Sequence, residues 1–466
     1  MALSFYDTVY PALPIFAQNW GCTAGGWWRF RSRFNRHFYD TVHRWEETGR
    51  WSLERLLELQ RDRLDLLVER ARLHVPYYRD LGPPSDASDP AQAIAETLAA
   101  IPPLDKLAYR DQPEAFIARD VPRRRLISGR TSGTTGTALP LWCTPETLAE
   151  EYASVWRMRR EVGVEDPATP NLTFNGNIVV PFAQTDPPFH RTSAYDHRAL
   201  FSVYHMTPTN LRSYVDAVHR LPARYIEGYP SAIHLVARAL LQQGRPFEPG
   251  RIDAIFTSSE SLLAFQRETI EKAFGAPVRD RYGVSEKVVS MTECAEGSLH
   301  VDMEFCIVEV ERSAEDDDTE TGSLLVTGLS HDATPLFRYR IGDVGTRSKR
   351  PCPCGRAGDV FLAVDGRIED YVMTPDGRLI GRLDHIFKDQ HDVAEAQILQ
   401  DTKEAVQIRV VPRESWNDGG ERALRKEVRA RLGDEISVSI ELVQDIPREP
   451  NGKLRAVKSR VGHLAP

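Results

Sequence analysis

Three stretches of this chain carry residue types at spacings that can do chemistry. The first is Thr131-Ser132-Gly133-Thr134-Thr135-Gly136, followed by Thr137-Ala138-Leu139-Pro140. Two glycines and four hydroxyl residues in six positions make a loop rich in donors. Its backbone N–H groups and hydroxyls can wrap an anionic phosphate. No Gly-Lys-Ser/Thr follows at Walker A spacing, and a solvated linker has the same composition. The second stretch pairs Cys294 with His300, five residues between them, and Cys352 with Cys354, one between. Three thiolates and an imidazole form a tetrahedral ligand set suited to structural Zn²⁺; the alternative is four reduced residues near a hairpin. The third is Asn451-Gly452-Lys453 near the end, where a cation stands on a glycine-bearing loop.

Elements must position these groups, and the chain is long enough to build them. At 466 residues two to four domains are expected around a large core. Lys plus Arg is 59 and Asp plus Glu is 67, for a net charge of −8. That balance argues against a nucleic-acid binder, which normally carries a basic surplus. Hydrophobic residues at 41% and charged residues at 27% describe an ordinary globular protein. Six cysteines are too few for a disulfide scaffold at this length. The first residues lack the layout of a signal peptide, and no apolar run reaches the ~18 residues of a membrane span. The cytoplasm is therefore the default location, with no membrane partner expected.

The opening 1–95 reads as helical. From Trp51 to His74, Leu53, Leu56, Leu57, Leu64, Leu67, Val68 and Ala71 recur at helical spacing, and Pro76 stops the helix. The tryptophans at 20, 27, 28, 45 and 51 read as packing. From about 125 to 365, short apolar strands such as Asn171–Phe174, Ala223–Glu227 and Ile252–Thr257 alternate with helices over Ser231–Gln243 and Leu263–Phe274. This alternation predicts an α/β fold with parallel-rich sheets. Beyond Gly366, apolar runs at Val406–Val411 and Ile436–Leu442 flank a charged helix from Glu421 to Leu432, a small α+β unit. The acidic run from Glu315 to Glu320 reads as a solvated hairpin loop.

The 131–136 loop resembles the phosphate-binding loop of the adenylate-forming enzymes, the superfamily of acyl-CoA synthetases, adenylation domains and luciferases. Thr137 stands where that family usually has a lysine. Further segments resemble the family's motifs in the same order: Thr257-Ser258-Ser259-Glu260, Arg281-Tyr282-Gly283-Val284-Ser285-Glu286, Arg338-Tyr339-Arg340-Ile341-Gly342-Asp343, Gly366-Arg367-Ile368-Glu369-Asp370 and Asn451-Gly452-Lys453. Pro335 to Asp343, followed by Cys352-Pro353-Cys354-Gly355-Arg356, is similar to the phenylacetate–CoA ligase branch. Val75-Pro76-Tyr77-Tyr78 and Gly228-Tyr229-Pro230-Ser231 lean toward its capsular-polysaccharide-type members.

The resemblance implies a large ATP- and acyl-binding domain over 1–366, a mobile lid over 367–466 and a hinge at Glu369. It also implies ATP contacts at Thr131, Ser132, Gly133, Thr134, Thr135, Gly136, Ser259, Glu260, Tyr282, Gly283, Ser285, Asp343 and Arg367. The residue types suit these roles. Tyr282 offers a flat face to adenine, Glu286 a hard oxygen to Mg²⁺, Asp343 an acceptor for ribose hydroxyls and Arg367 donors at the domain junction. Lys453, with Glu286 the catalytic pair, places a cation where a carboxylate meets the α-phosphate. Phe174, His205, Tyr229 and Pro230 are expected to line the acyl pocket, and aromatic walls favour an aryl acid.

The activity implied is ATP-dependent conversion of a carboxylic acid to acyl-AMP with release of pyrophosphate, then acyl transfer to a nucleophile. CoA is the favoured acceptor; a small amine or hydroxyl is the alternative. A non-catalytic nucleotide-binding protein is the competing class. Homodimer formation stays open.

Overall fold

The helical pattern of the opening becomes α1 (Ile15–Arg33), α2 (Arg36–Thr48), α3 (Leu53–His74), α4 (Pro90–Ala99) and the short α5 (Lys106–Asp111) in a computed structural model. The structure describes residues 9–130, 139–365, 372–380, 383–387, 390, 392–447 and 455–461. Ser52 caps α3 by accepting the Arg55 N–H, and Leu56, Leu64, Leu67, Val68 and Ala71 form its buried stripe. Trp45 is buried as expected, but Trp20 and Trp28 are 73% and 60% exposed. The reason is the phase of α1, which turns Gln18, Cys22 and Gly26 inward.

β1 (Ile127–Arg130) and β2 (Pro140–Cys143) pair antiparallel. α6 (Pro145–Arg160) follows, capped by the Thr144 hydroxyl with Pro145 in its first turn. The centre of the molecule is a 12-stranded sheet. Its first strands are β3 (Asn171–Asn175), β4 (His190–Ser193), β5 (Arg198–Ser202), β6 (Tyr225–Gly228), β7 (Ala254–Ser258) and β8 (Val278–Gly283), linked by α7 (Leu211–Arg220), α8 (Pro230–Gln242) and α9 (Ala264–Phe274). Strands β5, β3, β6, β7 and β8 lie parallel in that spatial order. Helical crossovers produce such an arrangement, and it buries both sheet faces.

The sheet continues antiparallel through β9 (Ser290–Glu293), β10 (Leu299–Val301), β11 (Cys306–Glu315), β12 (Thr319–Gly328), β13 (Tyr339–Ser348) and β14 (Val360–Asp365). The acidic run forms the β11–β12 turn, where Asp316 accepts the N–H groups of Asp318 at 2.8 Å and Thr319 at 2.6 Å.

After residue 371 come β15 (Val372–Met373), β16 (Leu379–Ile380), β17 (Val393–Thr402), β18 (Ala405–Pro412), α10 (Asp418–Leu432), β19 (Ser437–Leu442) and β20 (Val457–Ser459). Strands β19, β18, β17 and β20 make a four-stranded sheet in that order. Leu424, Val428 and Leu432 of α10 share a core with Ile398, Ile408 and Val438. The architecture is mixed α/β, as the strand–helix alternation predicts. Among the described residues no helix is long and apolar enough to cross a membrane.

Candidate active site

The parallel strands place the motif residues at their carboxyl ends, the edge where ligands bind in open α/β sheets. β7 ends at Ser258, and Ser259 follows in the left-handed region at φ 73°. Glu260 accepts the Ser231 N–H at 3.2 Å, at the start of α8. Ser258 pairs with Arg281 across β7 and β8, so Tyr282 stands next to Ser259. Tyr282 donates its hydroxyl to Asp343 on β13 at 2.5 Å. The ring expected to face adenine and the acceptor expected to hold ribose are thus brought together from residues 61 apart.

Gly283 at the end of β8 and Ser285 beyond it are exposed, while Glu286 turns inward at 5% exposure. Its Oε1 accepts the Tyr339 hydroxyl at 3.1 Å and lies 3.4 Å from Lys106 Nζ. Glu151 of α6 holds the loop from both sides, bonding Arg281 at 3.3 Å and Lys287 at 2.8 Å. Burial alone would raise the Glu151 pKa, but Lys287 and Arg281 overcome it and hold the carboxyl at about 2. Sequence reasoning misses Lys106 and Glu151. Neither stands in a motif, and only the folded chain brings them to Glu286 and its flanks.

A cavity of about 560 Å³ opens between α6 and the parallel strands, within the usual range for small-molecule sites. Tyr229, expected there, lines it together with Gly228, Ser258, Ser259 and Arg281. Gly228 adopts φ 150°, and a Cβ there would collide with the Phe174 carbonyl oxygen, so only glycine permits this close approach. Three sequence expectations need correction. Phe174 is fully buried and stacks on Phe201 at 4.6 Å; its neighbour Thr173 takes the cavity face because successive strand side chains alternate. His205 bonds Ser202 Oγ at 2.7 Å and borders a different cavity, shared with α10. Burial depresses its pKa to about 4, so the ring is neutral near pH 7. Pro230 is buried as the first residue of α8, where its fixed φ serves the helix start.

The cavity is also more polar than expected. Glu227 pairs with Arg159 at 2.5 Å and with Arg198. Burial would raise Glu227, yet these two guanidinium groups hold it at about 2. Arg159 lies over the rings of Trp156, Tyr225 and Phe256 at 4.4–5.0 Å.

Cys294, His300, Cys352 and Cys354 converge, with one ligand atom of each within 4.8 Å of every other. Cys294 Sγ is 3.7 Å from Cys352 Sγ, and Cys354 Sγ is 3.3 Å from His300 Nε2. An S···S edge of that length is what a tetrahedron with Zn–S bonds of about 2.3 Å requires. Burial depresses the His300 pKa to about 4, leaving the neutral ring that ligation needs. The donor set fits a four-coordinate metal.

Thr131, Ser132, Gly133, Thr134, Thr135, Gly136, Arg367, Glu369 and Lys453 lie outside the described residues. Their flanks are described. The β1–β2 pairing runs to Arg130↔Pro140, on either side of residues 131–136. β20 lies parallel to β17 four residues beyond Lys453, and Gln397 donates to the Arg455 carbonyl at 2.7 Å.

The chain is similar to several known proteins. A family model described as the CapK C-terminal domain matches residues 372–460. Protein CapK of Staphylococcus aureus is 25% identical over 452 residues, covering 96% of this chain and 98% of its own. The indoleacetate–lysine synthetase of Pseudomonas savastanoi is 26% identical over 292 residues, covering 60% and 66%. The phenylacetate–coenzyme A ligase of Thermus thermophilus is 23% identical over 440 residues, covering 87% and 96%. Among solved structures, 2-hydroxyisobutyryl-CoA ligase with 2-HIB-AMP and CoA aligns at a TM-score of 0.55 and 19% identity, over 88% of this chain and 90% of that one. The fold is that of an adenylate-forming ligase. The chain is similar to CapK and to phenylacetate–coenzyme A ligase over most of its length.

Proposed function

We propose that the protein joins a carboxylic acid to AMP and then passes the acyl group to a nucleophile. A carboxylate oxygen attacks the α-phosphorus of ATP and pyrophosphate leaves; the nucleophile then attacks the acyl carbonyl and AMP leaves. The observation that carries this reading is the pairing of Tyr282 with Asp343, with Glu286 buried four residues further along the same segment and Ser259, Tyr229 and Arg281 lining the adjoining cavity. Tyr282 and Asp343 hold adenine and ribose, the 131–136 loop wraps the phosphates, Glu286 takes Mg²⁺ and Lys453 offsets the repulsion between carboxylate and α-phosphate. Residues 1–366 carry ATP and acid, and 367–466 turn about Glu369 between the two steps, bringing Lys453 in for the first. ATP–pyrophosphate exchange across aryl, alkyl and dicarboxylic acids tests the reading. Acid-dependent exchange is expected; none with any acid would leave a nucleotide-binding protein without catalysis.

For the acceptor, a cavity of about 780 Å³ lies between α10 and the β3–β5 region. Arg422, Lys426 and Arg429 line it from one face of α10, a charge pattern suited to the phosphates of CoA rather than to an uncharged amine. Acyl-CoA is therefore the product expected when CoA, lysine and hydroxyl acceptors compete, read by mass spectrometry. An amide or ester product would replace this assignment.

We assign the Cys294, His300, Cys352, Cys354 cluster to structural Zn²⁺, since four protein ligands leave no position for a reacting water. About one zinc per chain is expected by elemental analysis. Cys352→Ser together with Cys354→Ser should abolish it and lower the melting temperature; a metal-free wild type with unchanged stability would refute the assignment.

A further inference from the structure

The cavity under α6 differs chemically at its two ends. Ser258 and Ser259 mark the carboxyl edge of the parallel strands, beside the adenylate motifs. At the opposite edge Arg198 begins β5 and Tyr225 begins β6, and the last turns of α1 bring in Arg29 and Arg33. Strands of four and five residues separate the two edges, roughly 13–16 Å at 3.3 Å per residue.

Cationic hydrogen-bonding capacity at this second end exceeds what the protein itself consumes. Arg159 and Arg198 share one carboxylate, Glu227. The carboxylate paired with Arg29 is Asp196, 3.9 Å away and beyond hydrogen-bond reach; Asp196 instead accepts the Ser193 hydroxyl. Arg29 Nη2 is buried with no hydrogen-bond partner among the described residues, a costly arrangement for a charged donor. Arg33, one turn further along α1, lies over the Tyr152 ring at 4.6 Å and has no carboxylate within ion-pair distance among the described residues. Burial and the nearby Arg198 both press the Arg29 pKa below its ordinary value, which an anion placed there would reverse. Phe30, Phe34 and Trp156 add aromatic walls to the same cavity.

We propose that the acid accepted by this cavity carries a second oxyanion, a carboxylate in the simplest case, which Arg29 and Arg33 receive while the first carboxylate is adenylated beside Ser259. This deepens the adenylation reading and rests on it. The substrate class is a dicarboxylic acid with a flat or apolar middle, rather than a plain aryl monoacid. A guanidinium matches a carboxylate with two parallel N–H donors, and the aromatic walls desolvate the spacer between the anions.

The test is ATP–pyrophosphate exchange with matched acids: hexanoate against adipate, octanoate against suberate, and phenylacetate against 4-carboxyphenylacetate. At least one diacid is expected to exceed its monoacid partner tenfold or more in kcat/KM. Arg29→Gln and Arg33→Gln should each lower that diacid-to-monoacid ratio by about ten- to a hundredfold, the usual range for hydrogen bonds to charged groups. Arg29→Lys should restore part of it, which separates lost charge from lost folding. Monoacids matching or exceeding every diacid would overturn the proposal, as would a ratio unmoved in both glutamine variants. Calorimetric binding of the same acids distinguishes the two levels of the reading. Diacid binding that depends on Arg29, with no exchange in any protein, removes the adenylation reading and supports the second-anion site. Exchange accompanied by equal binding of monoacid and diacid removes the second-anion site alone.

Discussion

Replacing Lys453 with alanine is expected to slow acyl-adenylate formation by about two to three orders of magnitude, the usual cost of deleting one group aimed at transition-state charge, while ATP still binds. When a carboxylate approaches the α-phosphate, two anions must come within bonding distance before pyrophosphate has left. A lysine cation at that point stabilises the crowded charge more than it stabilises bound ATP. The adenine and ribose contacts proposed above rest on Tyr282 of β8 and Asp343 of β13, so ATP affinity measured by calorimetry should change little. The second step should also survive. Given preformed acyl-adenylate, Lys453→Ala should pass the acyl group to the acceptor, with AMP leaving, at close to the wild-type rate, because the repulsion the lysine offsets has already been overcome. Exchange that persists in Lys453→Ala, or loss of ATP binding in parallel with exchange, would remove this role.

The largest expected loss of stability comes from Arg157→Met, a residue outside every motif. Arg157 of α6 is fully buried and reaches Asp302 at 2.5 Å, Glu304 at 2.6 Å and the Trp45 carbonyl at 3.1 Å. Thr48 adds a hydroxyl to Glu304, and Arg356 bonds Asp302 at 2.9 Å. The cluster thus joins α2 and α6 to the sheet and to the segment carrying Cys352 and Cys354. Removing one partner of such a buried group strands the remaining charges and typically costs about 3–5 kcal/mol. Urea unfolding measures it, and a loss below about 1 kcal/mol would show that water or rearrangement satisfies the carboxylates. The pH dependence follows from Asp302. Burial pushes its pKa up, but Arg157 and Arg356 overcome burial and bring it below the usual 3.8. A carboxylate depressed in the folded state adds stability above its unfolded pKa, and that stability is lost as pH falls through the folded value. Without Arg157 burial gains the upper hand, so acid unfolding should begin at higher pH in the variant than in wild type.

Much of this molecule is legible in the order of its residues. The period of α3 between Trp51 and Pro76, the short strands β3, β6 and β7, and the charged α10 between two apolar runs are local patterns, encoded in residues close along the chain. Motif order carries the resemblance to adenylate-forming enzymes, and the Cys-x-Cys spacing singles out the cluster that the fold draws together. These signals survive in one dimension because secondary structure and loop chemistry depend on neighbours a few positions apart.

The interior of the cavity is not legible in that way. Residue type alone points to Phe174 as a pocket wall, and only the pleat of β3 makes Thr173 face the cavity while Phe174 stacks on Phe201. Arg29 and Arg33 belong to an opening helix with no motif, yet its packing carries them to a cavity whose other walls lie more than a hundred residues away. Lys106 and Glu151 meet the Glu286 segment in the same way. Linear order thus encodes the class of fold and the motifs that carry the resemblance. The charge and shape of the cavity are set only on folding, because electrostatics and packing act through space between side chains that the chain keeps far apart.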